Sequence, residues 1–269
     1  MQFTKSLLLL AALTSGSLAD LNKRASSTLI PAPSSTSSPS SSSSSSGGGS
    51  GGTWTETPSN GDFSTEGFGS QTAHGGEGIT YGGNTGNPWG SNIIEISESD
   101  ASKYKNVIQF TAQNPDPWTV VFWNKKGPDG QMTGWYGNNA LTFDISQGQT
   151  KYVAIDDDSQ GGWGAASGSL PTDQSGGYAS TWGEFDLQSS GNTGWSGFDV
   201  SAIMAQKAGL PVQGMSICDA LGGTCSSITE NAAEVNNAYT AAETAEGGIG
   251  GNISGGGPIR LAAVIGYTG

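Results

Sequence analysis

The stretch Ser180–Ser201, STWGEFDLQSSGNTGWSGFDVS, mixes strand-like and turn-like texture. It brings two carboxylates, Glu184 and Asp199, together with two tryptophans, Trp182 and Trp195. Carboxylates beside indole faces are what a carbohydrate-contacting cleft is made of, and also what a soluble β-protein displays on its surface. Working outward, short runs rich in β-branched and aromatic residues recur along the chain. They are Asn92–Ile96, Val107–Thr111, Trp118–Trp123, Leu141–Ile145, Lys151–Ile155, Thr181–Leu187, Val212–Ile217 and Ile259–Tyr267. Turn chemistry separates them, as in Asn114-Pro115-Asp116-Pro117 and Gly127-Pro128-Asp129-Gly130. Many short strands with Gly and Pro turns predict a mainly β domain, a β-sandwich or barrel.

Two segments read as helix. Ser97–Lys105 opens on a capping-box-like Ser97-x-x-Asp100. Ile228–Glu246 places Ile228, Ala232, Val235, Tyr239 and Ala242 on one stripe. Trp118 and Trp123 fall on opposite faces of one predicted strand. Gly162-Trp163-Gly164 reads as a turn, and Trp89, Trp135, Trp163 and Trp195 each adjoin glycine in loop-like sequence, where an exposed indole could stack on a sugar ring.

The N-terminus has a targeting pattern. Lys5, the apolar run Leu7–Leu13 and the small residues Ser17-Leu18-Ala19 predict a signal peptide over 1–19. Lys23-Arg24 reads as a dibasic processing site, which predicts a short propeptide over 20–24. Residues 25–52 are a Ser/Gly-rich segment with too little apolar surface to offset the entropy of ordering, and disorder is expected there. Residues 53–269 remain as a single β-rich domain. The expected location is extracellular, secreted or cell-wall associated, with no membrane span and no lipid anchor.

Composition excludes several classes. Ten Lys+Arg stand against 23 Asp+Glu, for a net charge of −13, so neither nucleic acid nor an anionic membrane is an expected partner. The single histidine, His74, lies in a Gly-rich run, which argues against a His-dependent triad or a histidine-cluster zinc site. The two cysteines, Cys218 and Cys225, are expected to pair as a local staple; the loop-entropy estimate for so short a loop is about 2.5 kcal/mol. Asp156-Asp157-Asp158 is the densest acidic run; Asp156 and Asp158 are the only candidate metal ligands, and a turn after a strand is the stronger reading. No cofactor is expected. Asn252-Ile253-Ser254 is the one N-glycosylation sequon.

From Trp54 onward the chain resembles the fungal secreted allergen family typified by the Aspergillus allergen Asp f four. The matching blocks include NPWGSNIIEIS (Asn87–Ser97), DPWTVVFWNKKGPDG (Asp116–Gly130), TWGEFD (Thr181–Asp186), GWSGFDVSAI (Gly194–Ile203) and VQGMSIC (Val212–Cys218). The resemblance implies an extracellular protein recognised by IgE, with no established reaction. It also implies a missing cysteine pair at Ser64 and Ser180, which would make those positions neighbours. A second resemblance, in motif order, is to thaumatin-like proteins, and it implies a thaumatin-like β-sandwich with one or two short helices. In that family the residues matching Glu184 and Asp199 line an acidic cleft associated with β-1,3-glucan. The cleft arginine falls near Ala165 and a further cleft acid near Met204, so only two of the acids carry over.

The combined expectation is a monomeric, non-enzymatic, IgE-binding protein of that family with cell-wall β-glucan as its candidate ligand, bound through Trp163, Trp182, Glu184, Trp195 and Asp199. The alternative is a glycoside hydrolase acting on β-1,3-glucan through Glu184 and Asp199. A third reading is a secreted effector that binds host protein.

Overall fold

The computed structural model describes residues 53–72, 76 and 78–269. The signal peptide, propeptide and Ser/Gly-rich segment expected over 1–52, and His74, lie outside the described residues. Among these described residues thirteen strands form two sheets. In chain order they are β1 (Ile93–Ile96), β2 (Asn106–Ala112), β3 (Trp118–Asn124), β4 (Leu141–Ile145), β5 (Thr150–Ile155), β6 (Ser159–Ala166), β7 (Trp182–Ser189), β8 (Trp195–Ser201), β9 (Met215–Asp219), β10 (Cys225–Ile228), β11 (Val235–Asn236), β12 (Gly251–Ile253) and β13 (Ile259–Ile265). One sheet runs β1-β5-β2-β13-β9-β10-β11 and the other β12-β8-β7-β6-β3-β4. Pairing is antiparallel except between β2 and β13. Two short α-helices, α1 (Glu98–Ala101) and α2 (Ile203–Ala208), and a few 3-10 turns accompany the strands among the described residues.

Alternation along the strands builds three apolar layers. Val120 and Phe122 of β3 face inward with Phe110, Trp163, Phe185, Phe198 and Leu261, and this central core joins the two sheets. Val121 and Trp123 of the same strand face outward, into a second cluster with Trp135, Tyr178, Trp182, Met204 and Tyr239. A third cluster, Ala101, Tyr104, Val107, Tyr152 and Ala154, covers the outer face of the seven-stranded sheet beneath α1, Trp54 and Phe68. Trp118 and Trp123 lie in different layers, as their spacing predicts.

Glycine explains the strand that sequence reading places in a turn. β6, SQGGWGAA, is an inner strand of the six-stranded sheet and is buried throughout. Trp163 pairs across to Gly183, and a Cβ on Gly183 would lie 2.3 Å from the indole. The missing side chain leaves a slot in which Trp163 stacks on Phe122 and Phe185 and meets Phe110 edge-on, at centroid distances of 5.4, 6.3 and 5.3 Å.

Three expectations are corrected. Ile228–Glu246 is not a helix: Ile228 closes β10 against Met215, Val235 pairs back with Ile228, and Asn231, Ala232 and Asn237 take positive φ. Strand pairing and asparagine's tolerance of the left-handed region outweigh the apolar stripe. The Ser97–Lys105 helix is a single turn in which the Ser97 hydroxyl bonds the Asp100 carboxylate and leaves the helix backbone uncapped. Ser64 bonds the Lys103 carbonyl over the seven-stranded sheet, whereas Ser180 lies beside Gly164 and Leu170 on the outer face of the other sheet, so the two are not neighbours. The Cys218–Cys225 bond is present and staples the opposed ends of β9 and β10.

Arg260 of β13 is wholly buried, and no carboxylate among the described residues pairs with it. Its guanidinium donates to the carbonyls of Lys105, Ile259, Tyr104 and Glu56 at 2.7–3.0 Å, clamping the segment that starts at residue 53 to the sheet.

Gly183→Ala is expected to cost about 2 to 3 kcal/mol, because the indole slot closes. Gly257→Ala, where an added Cβ meets nothing within 4 Å, is expected to stay within about 0.5 kcal/mol of the parent. Urea unfolding followed by tryptophan fluorescence measures both.

Candidate functional site

The stretch Ser180–Ser201 forms a hairpin of β7 and β8, and Glu184 stands directly opposite Asp199 in its register. Because Phe185, Phe198 and Val200 point into the central core, alternation sends Glu184, Asp186 and Asp199 to the outer face of the sheet. Directly opposed residues have Cβ atoms about 5 Å apart, so the two carboxyls share one small space. That face is not open to water. Glu184 is 2% exposed and Asp199 is 0% exposed.

What covers them is read from the hydrogen bonds. Tyr239 exchanges backbone bonds with Val200 and Ala202, laying residues 238–240 along the end of β8. The Tyr239 hydroxyl then accepts from Ile249 N at 3.1 Å. Asn237 closes the loop by donating to the carbonyls of Cys225 and Gly250 and accepting from Gly250 N. Gly250 itself lies against Asp199, where a Cβ would come within 2.7 Å of the aspartate Cβ. α2 and the Trp123, Trp135, Tyr178 and Trp182 rings fill the rest of the layer.

Lys125, just past β3, is also buried and donates to Gln160 Oε1 at 3.1 Å. Among the described residues, both oxygens of Asp199, both of Asp186 and Oε1 of Glu184 lack a well-formed hydrogen bond. Burial therefore decides their charge. It pushes Glu184 up to about 8, against the pull of the Lys125 cation. Burial pushes Asp186 up to about 7, against Gln160, Ser189 and Lys125. Asp199 is raised well above the usual carboxylate range, by burial first and by Glu184 second. Burial lowers Lys125 to about 8, opposed by Asp186 and Glu184. At the acidic end of the physiological range this is a layer of neutral carboxylic acids around one ammonium. Asp186 shares a face with Glu184 at i, i+2, a spacing that sequence reading could have used and did not. Nothing local in the sequence marks Lys125.

The remaining candidates fall in different places. Trp163 belongs to the central core and is 0% exposed, so its face meets Phe122 and Phe185 and cannot meet a sugar. Trp182 is buried as well, with its Nε1 donating to the Tyr178 carbonyl at 3.1 Å and its ring edge-on to Trp123. Trp195, opening β8, stays half-buried. Asp156 and Asp158 do not form a solvated turn. Asp156 accepts from Asn84 and the Asp157 backbone; Asp158 accepts from the Tyr81 hydroxyl and Ser190 N. No group of three or more metal-ligating side chains suited to an ion occurs among the described residues.

A groove of about 500 Å³ opens elsewhere, between residues 83–89 and 126–130. Gln71, Thr72, Thr85, Asn87, Trp89 and Lys126 line it together with glycine backbone. Trp89 is half-buried, and its Nε1 donates to the Lys126 carbonyl at 3.0 Å, which fixes the indole at the groove. A buried asparagine network holds this wall. Asn92 and Asn124 exchange amide bonds at 2.8 and 2.9 Å, and Asn92 also donates to the Asn84 carbonyl.

Fold and site define a two-sheet β-protein with a sealed acidic layer and a separate polar groove. A family model described as the allergen Asp f 4-like domain matches residues 91–265. The chain belongs to that family. It is 56% identical over 215 residues to the allergen Asp f 4 of Aspergillus fumigatus, a match covering 80% of this chain and 66% of that relative. The chain thus spans just under two thirds of that relative's length. Among solved structures, the protein elicitor MoHrip2 of Magnaporthe oryzae matches 60% of this chain and 99% of its own, at 13% identity and a TM-score of 0.35, too low to bear on the fold. No helix among the described residues is long and apolar enough to cross a membrane.

The sealed acids fix the sign of the pH dependence. Their folded-state values lie above the unfolded ones, so the stability they contribute is complete below about pH 4 and is lost as pH rises, toward about 7 for Asp186 and about 8 for Glu184. Lys125 acts in the opposite sense, but only between about pH 8 and its unfolded value. The urea midpoint is expected to fall between pH 5 and 8, by on the order of a few kcal/mol in stability. Glu184→Gln/Asp199→Asn is expected to remove most of that slope; an unchanged slope would show that the acids ionise freely in the folded chain.

Proposed function

We propose that the chain is an extracellular, non-enzymatic protein that binds neutral cell-wall polysaccharide, with β-1,3-glucan as the leading ligand, in the groove beside Trp89. The observation that carries this reading is the half-buried Trp89, its indole fixed beside a groove of hydroxyls, carboxamides and glycine backbone. A glycan offers an apolar ring face for the indole and hydroxyls for the amides. Glycine backbone in the walls lets a sugar ring approach closely. The motif-order resemblance to thaumatin-like proteins suggests β-1,3-glucan as the polymer to test, but Glu184 and Asp199, the acids that carry it, are sealed, so the groove rests on Trp89 alone. IgE recognition belongs to the proposal through the family.

Hydrolysis by Glu184 and Asp199 is the second reading, favoured by their opposed register. It requires water and one ionised carboxylate between the acids. Both acids are covered and held in the neutral form, which supports binding over cleavage.

Sedimentation with insoluble β-1,3-glucan and with chitin, with reducing sugar measured in the same tubes, separates the readings. Retention on glucan without sugar release is expected. Trp89→Ala is expected to weaken retention roughly tenfold, about 1.4 kcal/mol. Absence of retention on both polymers refutes glycan binding. Sugar release abolished by Glu184→Gln would establish the hydrolase reading instead.

A further inference from the structure

The sequon Asn252-Ile253-Ser254 lies on a sheet edge. β12 is the terminal strand of the six-stranded sheet and pairs with β8 alone, through Gly251↔Phe198, Asn252↔Gly197 and Ile253↔Ser196. Gly251 turns toward the core, where an added Cβ would strike the Phe198 ring at 2.1 Å, and Ile253 packs on the central core. Asn252 shares the outer face with Gly197, which has no side chain to crowd it. Asn252 and Ser254 are both exposed, and the Asn252 amide makes one long bond, 3.5 Å to the Gly248 carbonyl. A substituent on this amide therefore displaces nothing buried. The flanking run 247–257, GGIGGNISGGG, contains no charge and no proline. It thus lacks the residues that ordinarily keep an edge strand from pairing with another chain.

We propose that Asn252 carries an N-linked glycan and that this glycan guards the β12 edge. The amide Nδ2 forms a bond to C1 of the first sugar of a lipid-pyrophosphate-linked oligosaccharide. The C1–O bond to the pyrophosphate breaks, and the amide proton leaves with that group. The proposal rests on entry into the secretory pathway, which is part of the function proposed above.

The full chain is expressed in a yeast with its own leader and, separately, with a heterologous secretory leader. Secreted protein is analysed by electrophoresis before and after removal of N-glycans, and the peptide containing Asn252 is read by mass spectrometry. The expected result is a mobility shift lost on deglycosylation, with asparagine-to-aspartate conversion at Asn252. Asn252→Gln and Ser254→Ala are each expected to abolish the shift. Failure with the native leader alone refutes secretion and leaves the sequon tested by the second leader. An unmodified Asn252 peptide in secreted protein overturns the glycan. For the edge, Asn252→Gln is expected to keep the parent's unfolding midpoint but to shift to larger species on size exclusion as concentration rises. A variant that stays monomeric throughout overturns the guarding role.

Discussion

The slot that Gly183 leaves for Trp163 is the constraint on which the rest depends. Two inner strands, β6 and β7, give up a side chain where they cross so that an indole can lie flat across the centre of the sandwich. That ring holds Phe122, Phe185 and Phe110 in contact, and through them fixes the separation of the two sheets. With β7 fixed by its inward residues, alternation leaves Glu184 and Asp186 no choice but the outer face. The acidic layer is thus a consequence of where the aromatic core must go.

This order explains what was legible in the sequence. Strands whose residues alternate between apolar and polar, or are β-branched, could be read directly: Trp118–Trp123, Leu141–Ile145 and Lys151–Ile155 lie within or match β3, β4 and β5. β6 could not be read, because its signal is a pattern of absent side chains whose meaning lies in another strand. Ile228–Glu246 misled because a helical stripe of small residues is also what two short strands and their turns can show. α2 was legible but unread, since Lys207 in its last turn and Gly209 at its C-cap mark a helix end.

The candidate site was half legible. The pairing of Glu184 with Asp199 is local to one hairpin, and the sequence brought both residues forward together. Their burial is decided by Asn237, Tyr239 and Gly250, a cover folded back from a different part of the chain. The groove beside Trp89 depends likewise on asparagine contacts between Asn84, Asn92 and Asn124. A Trp adjoining Gly is a reasonable sign of a ligand platform, but it does not say which such tryptophan reaches solvent. Trp89 does, and Trp163 does not.

Arg260 sets a condition on how the chain can be assembled. It sits on the last strand, which pairs in parallel with β2, and its guanidinium binds the Glu56 carbonyl near the start of the domain. A ribosome delivers the Glu56 carbonyl early in the domain and Arg260 late. The seven-stranded sheet lacks β13 at its middle until that strand emerges, so β2 and β9 wait as open edges. Such long-range closure is slow, because the loop entropy must be met before the contacts form. The domain is therefore fastened from its tail, and its opening segment, made first, is locked in place last.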